Sequence, residues 1–506
     1  MEKAERTTNI FEQTTIFKDG LNDIIKEALY DEVYLKDTLS HSITLSFFSN
    51  TFKSKYAIRE FFSTFLKFFY FTFFKELVAL IRNKEEDLSV VSGKIIIEAL
   101  GTDARTKSFW QPVHEKFKAE SVLLTGSKNT HLIIQSEFTN SVFLESIVNR
   151  KYVSSTIWLI QFYLNNFFRL KRLFQKYDIG FSGVIHLFSI IAVQVNRIEK
   201  AKRIALLKPS SYISIYDRGE LGSIVTSVFK KYHIPTFTFV HGAVGYNGMN
   251  HFTPVLSDYV FTWGKYTSDL FIKFGTPKTK ILEVGCNRMN TNSPVSDTAE
   301  KELKIKLSFT ENDKIILLGF TAIITQEWIE NIVKLTKRVK DFKFIIRPHP
   351  SIPKIEIEKI AMILNKEVCV MYCDEYSLSE TFAITDYLIT DFSTIAFDAV
   401  FYKIPVIFLD NTGNAKKNGL AYDLCEAEVA LFANEVEDVE KVLGLLNDST
   451  YLNQLVLKQN EFIQKYINSS GEDATQNMVE AIKTVLHKTP IDQRSFAYEF
   501  INIILL

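Results

Sequence analysis

Cysteine is scarce in this chain: Cys286, Cys369, Cys373 and Cys425 are the four among 506 residues. So few exclude a disulfide framework, and their spacing to histidine is not that of a zinc site. Cys369 and Cys373 fall in an apolar, strand-like run and read as buried free thiols. Net charge is lacking too, with 59 basic and 59 acidic residues. A balance of this kind removes the general basic surface of a nucleic-acid binder, so no nucleic-acid partner is expected. Glycine and proline are thin, at 19 and 11 residues, which favours long regular elements over a loop-rich β protein. The opening MEKAERTTNIFEQ lacks the basic-then-apolar layout of a signal peptide. A reducing, cytoplasmic setting is the expectation.

Uninterrupted apolar runs of membrane-spanning length are missing as well. Residues 179–196 carry no charge, but Gly180, Ser182, Gly183, His186, Ser189, Gln194 and Asn196 make them read as a buried strand and helix. Residues 152–168, with Ser154, Ser155, Gln161, Asn165 and Asn166, read as a core helix. What is abundant is aromatic: 43 Phe, 21 Tyr and 4 Trp. Nine of the fourteen residues at 61–74, FFSTFLKFFYFTFF, are aromatic. Phe62, Leu66, Phe69, Phe73, Leu77 and Leu80 recur at helical spacing, while Lys67, Lys75 and Arg82 gather within an arc of about 80°. Two readings stay open. One is a helix in a membrane interface, giving membrane-surface contact through residues 59–82 and a peripheral position at the inner face of the plasma membrane. The other is a core or partner-facing helix whose lysines reach outward along its edge.

Residues 1–88 read as a helical, aromatic-rich N-terminal segment. From about residue 90, short β-rich runs alternate with amphipathic segments, the signature of βαβ units with helices on both faces of parallel sheets. Strands are expected at 94–97, 122–124, 132–134, 212–216, 236–240, 259–262 and 281–284, then at 315–318, 343–346, 368–371, 387–389 and 406–409. The polar stretch 290–301 separates the two series. The fold class expected is therefore α/β, with two Rossmann-like, doubly wound parallel-sheet domains at 89–290 and 291–485 facing a cleft. Residues 486–506 are expected to form a C-terminal helix packing back on the first domain.

Four loops at predicted strand ends carry chemistry, and open α/β sheets keep their ligands at that edge. After strand 236–240 comes VHGAVGYNGMN, where Gly242 lets the backbone approach a ligand and His241 has a pKa suited to a general base. The glycine spacing is not the GxGxxG of a dinucleotide site. After strand 343–346, Arg347 and His349 in RPHP suit anionic oxygens. After strand 387–389, Asp391, Ser393 and Thr394 open a helix, with Asp391 or Ser393 as its N-cap and Asp398 one turn further in. At the end of the first series, Arg288 in GCNR can reach a phosphate from the hinge. No DxD metal motif is present, and no metal or cofactor is expected.

Taken together, HG after a strand, a Gly-x-x-Arg, RPHP and TDFSTIAFDAVFYKIPVIFLD resemble the GT-B transferases of bacterial surface polysaccharides. The likeness is greatest to the CDP-glycerol glycerophosphotransferases, with related layouts in capsule glycosyltransferases and sialyltransferases. It covers residues 210–480 or so, including GEDATQNMVEAI at 471–482. The resemblance implies a GT-B fold, a CMP-, CDP- or UDP-linked donor and no essential metal. His241 matches the family's proposed base; His349, Ser393 and Thr394 match donor-phosphate positions, with Asp391 beside them; Arg288 matches an arginine of a Gly-x-Pro-Arg turn. Two departures stand out: HGAVGYN replaces the family's HGTPLK, and GFTA at 319–322 replaces its Pro-Thr-Trp-Arg. Asp217 of the DRG at 217–219 is similar to the acidic residue of a sialyltransferase motif, and there it would be the base instead. The expected activity is an inverting, metal-independent glycosyl transfer from a nucleotide-activated sugar to a glycan or lipid-linked acceptor of a capsule, lipopolysaccharide or other surface polymer. The alternatives are glycerophosphate transfer from a CDP-linked donor and a nucleotide-sugar 2-epimerase.

Overall fold

The computed structural model describes residues 87–488 apart from 103, 139, 177–180, 290–295, 321–323, 350–351, 365–367, 392 and 411–418. Before residue 87 it describes only residues 21, 29–30, 33–34, 37–39 and 78. The aromatic segment 61–74, and the membrane contact expected of 59–82, therefore lie outside the described residues except for Val78.

Two short strands, β1 (Leu29–Tyr30) and β2 (Val33–Tyr34), pair antiparallel, so the N-terminal segment is not wholly helical as expected. Tyr30 ties the pair to the body: its hydroxyl lies 2.6 Å from Ser155 Oγ and its ring packs on Trp158.

The first sheet has seven strands: β3 (Ile95–Glu98), β4 (Ser121–Thr125), β5 (Ser141–Phe143), β6 (Ser211–Ser214), β7 (Thr236–Phe239), β8 (Tyr259–Thr262) and β9 (Ile281–Glu283). Their order is β5-β4-β3-β6-β7-β8-β9, all parallel. The second sheet holds β10 (Lys314–Gly319), β11 (Phe342–Arg347), β12 (Val368–Val370), β13 (Tyr387–Thr390), β14 (Val406–Leu409) and β15 (Leu431–Ala433). It runs β12-β11-β10-β13-β14-β15, again all parallel. Continuous apolar runs such as VIFL and KIILLG are what a strand covered on both faces requires. Each sheet winds outward in both directions from its first strand. That leaves a switch point between β3 and β6 and another between β10 and β13, where ligands bind at the carboxyl edge.

Two expected strands are corrected. Residues 132–134 lie inside helix Lys128–Glu137, with Ile134 buried and Leu132 and Ile133 exposed. A three-residue apolar run has no readable period, and the strand of that unit is β5, a few residues later. Residues 181–196 belong to a single helix, Phe181–Ala205, rather than to a strand and a helix.

The chain crosses between the sheets twice. After β9 it passes to the second sheet, and from Tyr466 it returns, earlier than the return expected at 486. Cys286 N–H donates to Ser469 O (2.9 Å), and Gly471 N–H donates to Cys286 O (3.2 Å). Gly285, at φ +98°, lets this return segment pass: a Cβ there would stand 2.3 Å from Ser469 O. Helix Gly471–Lys488 then packs on helix Ala104–Phe117, with Lys116 paired to Glu472. Residues 489–506 lie outside the described residues. One hydrophobic core joins the domains through Trp263, Phe397 and Tyr466, with the last two ring centroids 4.3 Å apart.

Candidate active site

The first-sheet wall is built around a carboxyl that sequence reasoning passed over. β3 reads IIIE, and its last residue, Glu98, is 1% exposed at the switch point. Its carboxylate accepts from Ser214 Oγ (2.8 Å) and from Ile215 N–H (3.0 Å), so it ties the end of β3 to the end of β6. Burial pushes its pKa up to about 7, although Ser214 and the backbone amides of Ile215 and Tyr216 favour the charged form. The start of helix Glu220–Lys231 packs closely on the loop after β6 at Gly222, where a Cβ would meet Tyr216 O at 2.2 Å. Tyr216 emerges from that loop with its hydroxyl donating to His251 O (2.7 Å).

His241 follows β7. Its ring, half-buried, lies between Tyr216 (4.5 Å between centroids) and Phe252 (5.1 Å). The loop beyond it is held by the second domain. Val244 exchanges backbone hydrogen bonds with the Tyr466 hydroxyl, and Tyr246 N–H donates to Asp423 Oδ2 (2.8 Å). Tyr266 donates to the same Asp423 oxygen (2.8 Å). Gly242, inside this loop, is buried. Asp423, Tyr466 and Tyr266 carry no local motif, which is why the sequence did not point to them.

Asp217 does not join His241 as an open base. It is 3% exposed, its carboxylate accepts from Ser257 N–H (2.7 Å), and burial raises its pKa while that hydrogen bond partly opposes the rise. A carboxylate held this way supports the loop entering β8 and is screened from any acceptor.

The second wall lies at the β10–β13 switch point. Thr390 Oγ1 donates to Gly319 O (3.0 Å), and a Cβ on Gly319 would stand 2.8 Å from Ile395 Cγ2. The replacement of a bulkier motif by glycine thus matches a close approach between β10 and the helix Ile395–Phe401. Residues 321–322 of that motif lie outside the described residues. Asp391 and Ser393 are half-buried and Thr394 is exposed. The expected N-cap is corrected: Thr394 occupies that position without a side-chain cap, and Ser393 Oγ lies 3.5 Å from Ile395 N, too far for a firm bond. Both hydroxyls therefore remain available at the carboxyl edge. His349, after β11, is half-buried at the same carboxyl edge, with β10 between β11 and β13.

Three expected donor ligands are otherwise engaged. Arg347 is 8% exposed and donates to Thr381 Oγ1 (2.5 Å), Ser377 O (3.3 Å) and Tyr376 O (3.1 Å). Burial lowers its pKa from the usual value. It anchors the loop into helix Leu378–Ala383, so RPHP splits into a structural arginine and a histidine at the edge. Arg288 and Asp398 pair with each other at 2.6 Å, 6% and 10% exposed, across the two domains. Burial works against the Arg288 charge, but Asp398 outweighs it and raises the pKa. Arg288 also stacks over Trp263 (5.4 Å). This pair braces the hinge rather than meeting a phosphate.

The chain also compares with known proteins. A family model described as CDP-Glycerol:Poly(glycerophosphate) glycerophosphotransferase matches residues 256–484, a little under half of the chain. Among curated proteins none matches the sequence. Among solved structures, UDP-GlcNAc 2-epimerase from Neisseria meningitidis bound to UDP-GlcNAc is similar at a TM-score of 0.52 and 14% identity, covering 77% of this chain and 100% of that one. The S. aureus MnaA–UDP co-structure is similar at 0.51 and 13%, covering 78% and 97%. A CDPG-soaked variant of the wall teichoic acid polymerase TagF is similar at 0.51 and 16%, covering 86% and 99%. Identities this low speak for the fold alone, and that fold is the two-domain one expected. The family match points to a nucleotide-dependent transferase through its glycerophosphotransferase-like part at residues 256–484, and the two-sheet architecture is the GT-B fold.

Proposed function

We propose that the protein transfers an alditol phosphate from a CDP-activated donor to a hydroxyl of a growing surface polymer, without an essential metal. The observation that carries this reading is the span of the family match, which takes in the whole second sheet and the loops at its switch point. His241 accepts the proton of the acceptor hydroxyl. The acceptor oxygen then forms a bond to the β-phosphorus, the phosphoanhydride bond breaks and CMP leaves. His349 and the Ser393 and Thr394 hydroxyls donate to the phosphates, where developing charge is greatest. Asp391, which only accepts hydrogen bonds when ionised, suits hydroxyls of the ribose or alditol. Nucleotide-activated donors belong to the cytoplasm, and that is the compartment assigned here.

Inverting transfer of a sugar from a nucleotide sugar is the second reading. It is favoured by HGAVGYN and by Gly319 at the positions where the family carries HGTPLK and Pro-Thr-Trp-Arg. There the acceptor oxygen attacks the anomeric carbon and a nucleotide leaves from the opposite face.

Purified protein incubated with an acceptor and, in turn, CDP-glycerol, UDP-GlcNAc or a CMP-linked sugar separates the two. CMP released from CDP-glycerol, in excess EDTA as well as without it, supports the first. Acceptor-dependent turnover of a nucleotide sugar supports the second, and turnover without acceptor indicates an epimerase. In each case His241→Ala should lower the rate by about 10²–10⁴-fold while donor still binds. Wild-type turnover in that variant rules out His241 as the base.

A further inference from the structure

The loop that carries His241 is built by one domain and held by the other. From Val240 to Gly245 the chain is irregular, and it next turns regularly at Tyr246–His251. Within this stretch the second domain grips the backbone twice, at Val244 through the Tyr466 hydroxyl and at Tyr246 N–H through Asp423 Oδ2. Val244 and Tyr246 stand only three and five residues beyond His241. So few bonds separate the anchors from the imidazole that displacing either one moves the ring.

Asp423 is a costly anchor. It is 8% exposed, and burial raises its pKa against the two hydrogen bonds it accepts. Among the described residues no cation offsets that burial. Both bonds, from Tyr246 N–H and from the Tyr266 hydroxyl, are 2.8 Å long and reach the same oxygen, Oδ2. Both donors belong to the first domain. A leucine would fill the place without burying a charge; the carboxylate adds two charge-assisted bonds that fix direction as well as distance. Its helix, Gly419–Glu426, packs on the turn Tyr246–His251 and on helix Ile395–Phe401. The latter opens directly after Ser393 and Thr394. A short packed path therefore runs from the carboxyl edge of the second sheet, through two helices, to the His241 loop.

We propose that Asp423 is a positioning residue for transfer: from the second domain it sets where His241 stands relative to Ser393 and Thr394. The inference rests on His241 as the base proposed above, and Asp423 itself touches no reacting atom.

Asp423→Asn and Asp423→Leu in the full chain test it. The asparagine carbonyl oxygen can accept both bonds at the Oδ2 position, whereas leucine accepts neither. Hydrogen exchange of the 241–251 stretch, read without substrate, should quicken in Asp423→Leu and stay as in wild type in Asp423→Asn. Turnover of CDP-glycerol, UDP-GlcNAc or a CMP-linked sugar, whichever the wild type consumes, should divide the same way. Asp423→Leu should lose about 10²-fold in kcat with donor Kd unchanged, and Asp423→Asn should restore kcat. Tyr266→Phe guards against a folding defect in Asp423→Leu: it gives up one bond, keeps its ring stacked on Tyr466 (5.1 Å) and should lower kcat by about tenfold. Wild-type exchange and kcat in Asp423→Leu overturn the proposal. Equal losses in Asp423→Asn and Asp423→Leu also overturn it, because the effect would then follow the charge and not the clasp. A donor Kd that weakens in step with kcat overturns it as well, since the carboxylate would then be shaping the donor site. His241→Ala run alongside keeps the two readings apart. Wild-type turnover in His241→Ala removes the base assignment and this role of Asp423 with it, whereas an inactive His241→Ala beside a fully active Asp423→Leu removes the clasp alone.

Discussion

An acid that holds its proton in the folded protein at a pH where it would lose it in the unfolded chain makes stability fall as pH rises. Glu98 is such an acid. Its pKa is raised to about 7 by burial, against about 4.3 in an unfolded chain. The native state binds the extra proton between these values, so stability declines across that window and levels off above it. The full effect is about 4 kcal/mol. Urea unfolding at about pH 5 and about pH 8 should show this decline in wild type, and Glu98→Gln should remove most of it while keeping an acceptor for Ser214 and Ile215. A pH slope unchanged in the variant would assign the titration elsewhere. Residue types at the strand ends were readable before the fold was known, and His241 and the Asp391–Thr394 loop do lie at the carboxyl edges. Their partners were not readable. Arg347 is satisfied by residues thirty positions away, and Arg288 by a carboxylate in the other domain, and no local pattern announces either.

At the level of elements, helix Phe181–Ala205 is fastened to the turn before helix Tyr152–Lys176 by one half-buried acid. Arg197 Nε donates to Glu145 at 2.5 Å and Lys200 Nζ at 3.2 Å, while Arg197 also reaches Glu220 at 2.6 Å. Burial alone would push Glu145 up, but the two cations reverse this and hold its pKa at about 2. Its contribution is therefore present above about pH 4.3 and is lost as pH falls through 2, some 3 kcal/mol in all. Glu145→Gln removes the carboxylate facing buried Lys200 while Arg197 keeps Glu220, and should cost about 3 kcal/mol at neutral pH. A urea midpoint equal to that of wild type would contradict this. Most strands were legible because sheets covered on both faces demand unbroken apolar runs, as in 259–262 and 406–409. Helix Lys128–Glu137 was misread because Leu132, Ile133 and Ile134 look alike on paper, and only one of them is buried. β15 escaped notice because a three-residue edge strand carries almost no pattern.

Across the whole molecule, the two domains are held by a buried cation–carboxylate pair and by aromatic packing. Asp398→Asn would leave the Arg288 guanidinium buried without its counter-charge and should cost about 3–5 kcal/mol. Replacing both partners, as Arg288→Met/Asp398→Leu, should cost clearly less, because no lone charge is left inside. Thermal unfolding of the three proteins measures this, and a double variant no better than Asp398→Asn would mean that the pair does more than cancel its own burial. The two-series alternation made the paired sheets legible; the early return of the chain at Tyr466 was not, since it depends on contacts of Gly285, Cys286 and Val244 with residues about two hundred positions later.

That return has a consequence for how the protein is made. The helix that completes the packing around Ala104–Phe117 is Gly471–Lys488, so the first domain cannot finish folding while the ribosome is still building the second. Its strands are translated early and must wait, with one flank uncovered, until residues 471–488 have been made. Synthesis order and folding order therefore run opposite to each other here, and the nascent first domain is the stretch most in need of chaperone cover.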